Sequence, residues 1–122
     1  MKLTNKTDYN ERSVNLSDAS ELYINTLRKL CSEYKIKWTI HVLKRIRERK
    51  LTIEMAVNAV MNGDIIEQYP DDKPFPSCLI LQIGYNKPIH VVVSTDGEHV
   101  YFITAYAPNL IEWEDDYKTR RR

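Results

Sequence analysis

Apolar residues recur along this chain at two spacings, and the spacing changes once. Tyr23, Leu27, Leu30, Cys31 and Tyr34 fall at i, i+4, i+7, i+8 and i+11, the stripe of an amphipathic helix. That helix is predicted to begin at Ser17 or Asp18, where Asp18 and Glu21 have capping-box separation. Thr39 is a good N-cap for a second helix over Ile40–Arg49. Thr52 is a good N-cap for a third, with Ile53, Ala56, Val57, Val60 and Met61 on one face, and Gly63 stands where a left-handed C-cap is expected. After Gly63 the texture turns to β. Strands are predicted over Asp64–Tyr69, Cys78–Tyr85, Ile89–Ser94 and His99–Tyr106. Pro70, Pro74 and Pro76 keep the first connection out of any central strand, Asn86-Lys87-Pro88 makes a turn, and Asp96-Gly97 makes a tight hairpin. Helices followed by a meander predict an α+β fold, with N-terminal helices packed on one face of a four-stranded, mainly antiparallel sheet.

The polar segments divide the rest. Residues 1–16 are aperiodic and read as a flexible arm, residues 17–113 as a single domain, and residues 114–122 as a charged tail. At 122 residues, 43% hydrophobic and 29% charged, the chain has the profile of an ordinary globular domain. Its start lacks the apolar stretch of a signal peptide, and no run has the length of a membrane span, so a cytoplasmic protein with no membrane association is expected. Cys31 and Cys78 stand alone, without metal-ligand or disulfide-framework spacing.

Charge changes the picture only locally. The formal net charge is +1, yet Lys37, Lys44, Arg45, Arg47, Arg49 and Lys50 face Glu48 alone within one short segment. At 100° per residue, His41, Arg45 and Arg49 share one side of the second helix with Lys44 beside them, while Val42, Ile46 and Leu43 make the side that packs on the sheet. Arginine forks suit phosphate oxygens, and an imidazole suits proton transfer near neutrality. In the strands, His90 shares a face with Val92, and Thr104 and Tyr106 share a face on which alternation also places Phe102. His99 follows the hairpin and is peripheral. The three histidines and two cysteines have no zinc spacing, and three glycines build no phosphate-cradling loop, so neither metal nor cofactor is expected. What remains open is acid–base chemistry on a phosphodiester, nucleic-acid binding without chemistry, or a protein-binding role for which the acidic Glu112–Asp116 stretch speaks.

Several blocks carry a resemblance. Trp38 to Arg49 contains an H-x₃-R-x₃-R helix at His41, Arg45 and Arg49; Gly63 to Pro70 resembles a following G-x-I-I-E-x-Y-P strand. Pro76-Ser77-Cys78-Leu79, Pro88 to Val92 and Thr104 to Pro108 match later blocks of the same family. This is a bacterial and archaeal domain-of-unknown-function family, similar to the RelE/BrnT/MqsR-like ribonuclease toxins of the barnase–EndoU–colicin–RelE fold. The resemblance implies endoribonucleolytic cleavage without metal. His41 and His90 would be the acid and base in unassigned order, Arg45 and Arg49 the clamp on the phosphorane. Thr104 and Tyr106 would position the phosphate or stack a base, and Lys44, Arg47 and Lys50 would dock the RNA backbone. An antitoxin protein covering the basic groove is the partner it implies.

Overall fold

The computed structural model describes residues 16–84 and 87–122, with side chains from residue 23 onward. Helix α1 (Leu16–Ser32), a two-residue strand β1 (Ile36–Lys37), α2 (Ile40–Glu48) and α3 (Ile53–Asn62) come first. Strands β2 (Asp64–Tyr69), β3 (Ser77–Ile83), β4 (Pro88–Thr95) and β5 (Val100–Tyr106) follow. The sheet is five-stranded and mixed, in the order β1-β5-β4-β3-β2. Strand β1 runs parallel to β5, and the other neighbours are antiparallel. The expected count of four antiparallel strands is thus corrected by one. Two residues are too few to show a period of two, which is why β1 leaves no trace in the pattern. The arm expected over residues 1–16 lies almost wholly outside the described residues, as do Tyr85 and Asn86. Leu16 opens α1.

One face of the sheet meets the helices. Leu27, Leu30 and Cys31 of α1, Val42 and Ile46 of α2, and Ala56, Ala59 and Val60 of α3 pack on Ile80, Val91, Val93, Val100, Phe102 and Ala105. Each large side chain removed from water there contributes about 1.5–3 kcal/mol. Thr39 and Thr52 cap α2 and α3 as expected, accepting from the Val42 and Met55 amides. At the hairpin, Gly97 has φ +93° and the Asp96 carboxylate accepts from the Glu98 and His99 amides. Both cysteines are free and buried, and burial pushes the Cys31 thiol up to about 11 and the Cys78 thiol up to about 12. Among the described residues no helix is long and apolar enough to cross a membrane.

Three local expectations are corrected. Tyr34 does not belong to the buried stripe. It lies past the end of α1 with φ 61° and is 90% exposed. Leu43 is not on the packed side of α2 either; it stands at the flank, open to solvent, because Val42 and Ile46 alone reach the sheet. Gly63 closes α3 in an extended conformation, φ −91° and ψ −175°, and not in the left-handed region. Glycine is required there by space. A Cβ would sit 2.5 Å from the Ala59 carbonyl oxygen, 2.6 Å from that of Leu81 and 2.8 Å from Ile80 Cγ2. Arg28 from α1 donates to the Val60 and Gly63 carbonyls at 2.9 and 2.7 Å, so the chain at Gly63 is held from both sides. Gly63→Ala is therefore expected to lower the unfolding free energy by about 1–3 kcal/mol, the usual cost of overpacking. Urea unfolding would measure it; an unchanged midpoint would refute the steric account.

Candidate functional site

The face of the sheet that the helices leave free is shaped by two bulges. In β5, Phe102 pairs with Val93 and Thr104 with Val92, leaving Ile103 as an extra residue. Phe102 therefore points into the helix-side core, where it stacks on Trp38 with ring centroids 4.4 Å apart. Thr104 and Tyr106 point the other way, opposite Val92 and His90. The expectation that Phe102 shares their face is corrected by that one inserted residue. In β2, Ile65 pairs with Ile80 and Glu67 with Leu79, leaving Ile66 as the extra residue. Strict alternation would put Glu67 beside the apolar Ile65. The bulge instead sends its carboxylate to the face of His90 and Tyr106. Bulges that re-aim a side chain in this way recur beside functional sites.

A C-terminal strap, residues 108–122, folds back over this free face. Trp113 and Arg120 form an antiparallel bridge, and Trp113 is buried to 1% exposure. The Arg120 guanidinium lies 4.5 Å over the Trp113 ring and grips Glu67 through Nε at 2.9 Å and Nη2 at 3.1 Å. The Tyr69 hydroxyl also donates to Glu67. Burial raises the Glu67 carboxyl, but the bonds from Arg120 and Tyr69 outweigh it and hold the group below its ordinary value. The residues foreseen as a charged tail thus close the molecule.

His90 lies beneath this strap at 0% exposure. Its Nε2 is 2.7 Å from the Tyr117 carbonyl oxygen and its Nδ1 is 3.2 Å from the Tyr106 hydroxyl. Trp113 meets the ring edge-on at 4.6 Å. Desolvation lowers the His90 pKa, partly opposed by the Tyr117 bond and the Glu67 charge. The imidazole is neutral at pH 7. Since Ile89 and Val91 on either side of it belong to the helix-side core, His90 faces away from α2 and from His41. The two histidines therefore do not face each other, and His90 presents no exposed surface.

The exposed chemistry lies along α2 and the open end of β5. His41, Arg45 and Arg49 are all solvent-exposed on one flank of the helix. Arg45 Nε reaches His41 Nε2 at 3.5 Å. Arg49 crosses to the sheet, where its Nη1 donates to Thr104 Oγ1 at 3.1 Å and to the Ala105 carbonyl at 2.9 Å. That carbonyl is at the edge of β5 beyond the short β1. Glu48 touches Lys44 and Arg45 only distantly, at 4.0 and 3.8 Å, and among the described residues no carboxylate pairs with Arg47, Arg49 or Lys50. Arg47 lies on the opposite flank, with Leu43, Thr52 and Ile53 along a groove toward α3. Tyr106, half-buried, follows Thr104 on the same face; burial raises its pKa, so it remains a phenol. Among the described residues no three His, Cys, Asp or Glu side chains come together to hold a metal ion.

Residues 38–107 match the family model described as Domain of unknown function (DUF4258). The chain belongs to the DUF4258 family. No curated protein and no solved structure matches it. The DUF4258 segment contains His41, Arg45, Arg49, Glu67, His90, Thr104 and Tyr106, while α1 and the strap lie outside it. Glu67, Trp113 and Arg120 are the members of the cluster that pattern reading missed. A carboxylate in the middle of the strand Asp64–Tyr69 was the available signal for the first of them.

Lys50 adds a further observation about the DUF4258 helix. It ends α2 in a Schellman arrangement, with Leu51 N bonded to the Ile46 carbonyl and Lys50 N to that of Arg47. Its φ is 59°, a conformation that glycine adopts more readily than lysine. Lys50→Gly is expected to raise stability by about 1 kcal/mol. Thermal unfolding measures it; an unchanged or lowered midpoint would refute the backbone account.

Proposed function

We propose that this protein is an endoribonuclease of the mRNA-interferase type, RelE-like and independent of metal. We further propose that it is the toxin of a toxin–antitoxin pair. The observation that carries the reading is Arg49. It is tied to Thr104 and Ala105 through one nitrogen, with Nε and Nη2 left without a partner among the described residues, and its charge is felt by the Tyr106 phenol. A fixed guanidinium edge with a phenol in its field suits a phosphodiester whose charge grows during reaction. The ribose 2′-oxygen attacks the adjacent phosphorus, Arg45 and Arg49 hold the equatorial oxygens, and the exposed His41 protonates the leaving 5′-oxygen. Lys44 and Lys50 draw in the RNA backbone, with Arg47 adding charge from the opposite flank of α2. The antitoxin is a protein that covers this cationic flank.

Purified protein with a defined single-stranded RNA tests this directly. Cleavage is expected in EDTA, with products ending in 2′,3′-cyclic phosphate. Affinity should fall with salt at about 0.7 per phosphate neutralised, and Arg45→Ala with Arg49→Ala should flatten that slope by one to two contacts. Dependence on Mg²⁺ or 3′-hydroxyl ends would overturn the mechanism. A second reading, an RNA-binding module without chemistry, draws on the complete burial of His90. It predicts the same salt slope with intact RNA.

A further inference from the structure

On the ribonuclease reading the cation flank supplies charge stabilisation and an acid, but among the described residues no group on it is held by an acceptor that would make it a base. The sealed histidine does. A carbonyl oxygen only accepts, so the 2.7 Å contact with Tyr117 places the single proton of the neutral ring on Nε2. Nδ1 is then bare, and the Tyr106 hydroxyl 3.2 Å away donates to it. Trp113 and Tyr106 both meet the ring edge-on, at 4.6 and 5.2 Å, which fixes its orientation. A hydroxyl bonded to a base whose far nitrogen is held by an acceptor is the arrangement that activates hydroxyl groups in nucleophilic enzymes. Here the hydroxyl belongs to a half-buried tyrosine on the same strand face as Thr104, the residue to which Arg49 is bonded.

Building on the ribonuclease reading, we infer that Tyr106 and His90 form a proton relay serving the RNA 2′-hydroxyl. Tyr106 Oη accepts the 2′-proton while its own proton passes to His90 Nδ1. The 2′-oxygen bonds to phosphorus, the P–O5′ bond breaks, and the leaving oxygen takes a proton from His41. His90 ends as an imidazolium and His41 as a neutral imidazole, and solvent resets both. The relay never forms a free phenolate, which burial of Tyr106 would disfavour. The imidazolium is stabilised by the Tyr117 carbonyl and by Glu67, and opposed by Arg120. His90 thus acts through Tyr106 without touching RNA.

The test combines cleavage with a readout of the ring itself. Tyr106→Phe removes the transferred proton. His90→Gln keeps an amide donor where Nε2–H meets Tyr117 but removes Nδ1, so the strap stays anchored and thermal unfolding can verify that. Each variant is expected to slow cleavage about 10²- to 10⁴-fold with RNA affinity unchanged. In the wild type, activity should fall as pH drops through the His90 pKa, below its ordinary 6.5, with Glu67, Tyr106 and Arg120 as the titratable groups that face the ring. That acid limb should be absent from His90→Gln. In ¹⁵N spectra the wild-type Nδ1 should be unprotonated, with a shift that moves in Tyr106→Phe. Wild-type protein that cleaves no RNA overturns the ribonuclease reading and the relay with it. Cleavage that survives both substitutions, or an Nδ1 that carries the proton, overturns the relay alone.

Discussion

Trp113→Ala should lower the unfolding free energy by about 3–5 kcal/mol, the cost of removing a large aromatic ring from a closed site. For a domain whose total stability is on the order of 5–15 kcal/mol, that is a large share. The ring does three things at once. It fills the space between the strap and the sheet at 1% exposure, it meets His90 edge-on, and it lies under the Arg120 guanidinium. Losing it also wets His90. Since desolvation is the main cause of that histidine's lowered pKa, its pKa should climb back toward 6.5 in the variant. The stability consequence has a definite sign. A histidine whose folded pKa is lowered contributes fully above its unfolded pKa, and the contribution is lost as pH falls from there toward the folded value. Wild-type stability should therefore begin to decline below about pH 6.5, with a second decline below the ordinary carboxylate range as Glu67 is protonated and releases Arg120. Denaturant melts across pH measure both windows. A Trp113→Ala loss of well under 1 kcal/mol would mean that the strap is an appendage and not part of the core.

How much of this was legible in the chain follows from which signals are local. The helical stripe at Leu27, Leu30 and Cys31, the threonine caps at Thr39 and Thr52, and the Asp96-Gly97 hairpin each depend on a few consecutive residues, and each is where the pattern puts it. The flank shared by His41, Arg45 and Arg49 is also local geometry, set by the turn of one helix. Strand faces are different. Period-two reasoning holds only until a bulge inserts a residue, and then every later side chain changes face. Ile66 and Ile103 are such residues, and an isoleucine in a strand carries no mark of a bulge. Hence Phe102 and Thr104, two positions apart, end on opposite faces, and Glu67 emerges beside His90.

The strap was hidden for another reason. Its contacts join residues distant in sequence: Arg120 to Glu67 and Tyr117 to His90. A run such as Glu112-Trp113-Glu114-Asp115-Asp116 looks solvated because four of its five residues are acids. The tryptophan was the element to weigh, since one large ring can anchor a polar segment that has no other apolar content. With it in place, Asp116 turns the chain by accepting from the Lys118 and Thr119 amides, and Arg120 is delivered to Glu67.

On the ribonuclease reading proposed above, a large effect on activity is expected at Arg49. Its Nη1 is committed to Thr104 and Ala105, which sets the plane and direction of the guanidinium; Nε and Nη2 have no partner among the described residues. An arginine fixed in this way needs no reordering when charge develops on a phosphorane, and one such preorganised donor is worth about 10²–10³ in rate. Arg49→Ala should show that loss in kcat. Arg49→Lys is the sharper variant, because lysine keeps the charge but has neither the fork nor the second anchor. RNA affinity and its salt slope should then remain close to wild type, while the rate still falls by at least about tenfold, which at 25 °C is about 1.4 kcal/mol of transition-state stabilisation. Neither change should unfold the protein, since the side chain is exposed and the Ala105 carbonyl at the strand edge can turn to water. If lysine restores the full rate, Arg49 acts as a point charge for docking, and the fork geometry at the end of β5 has no part in the chemistry.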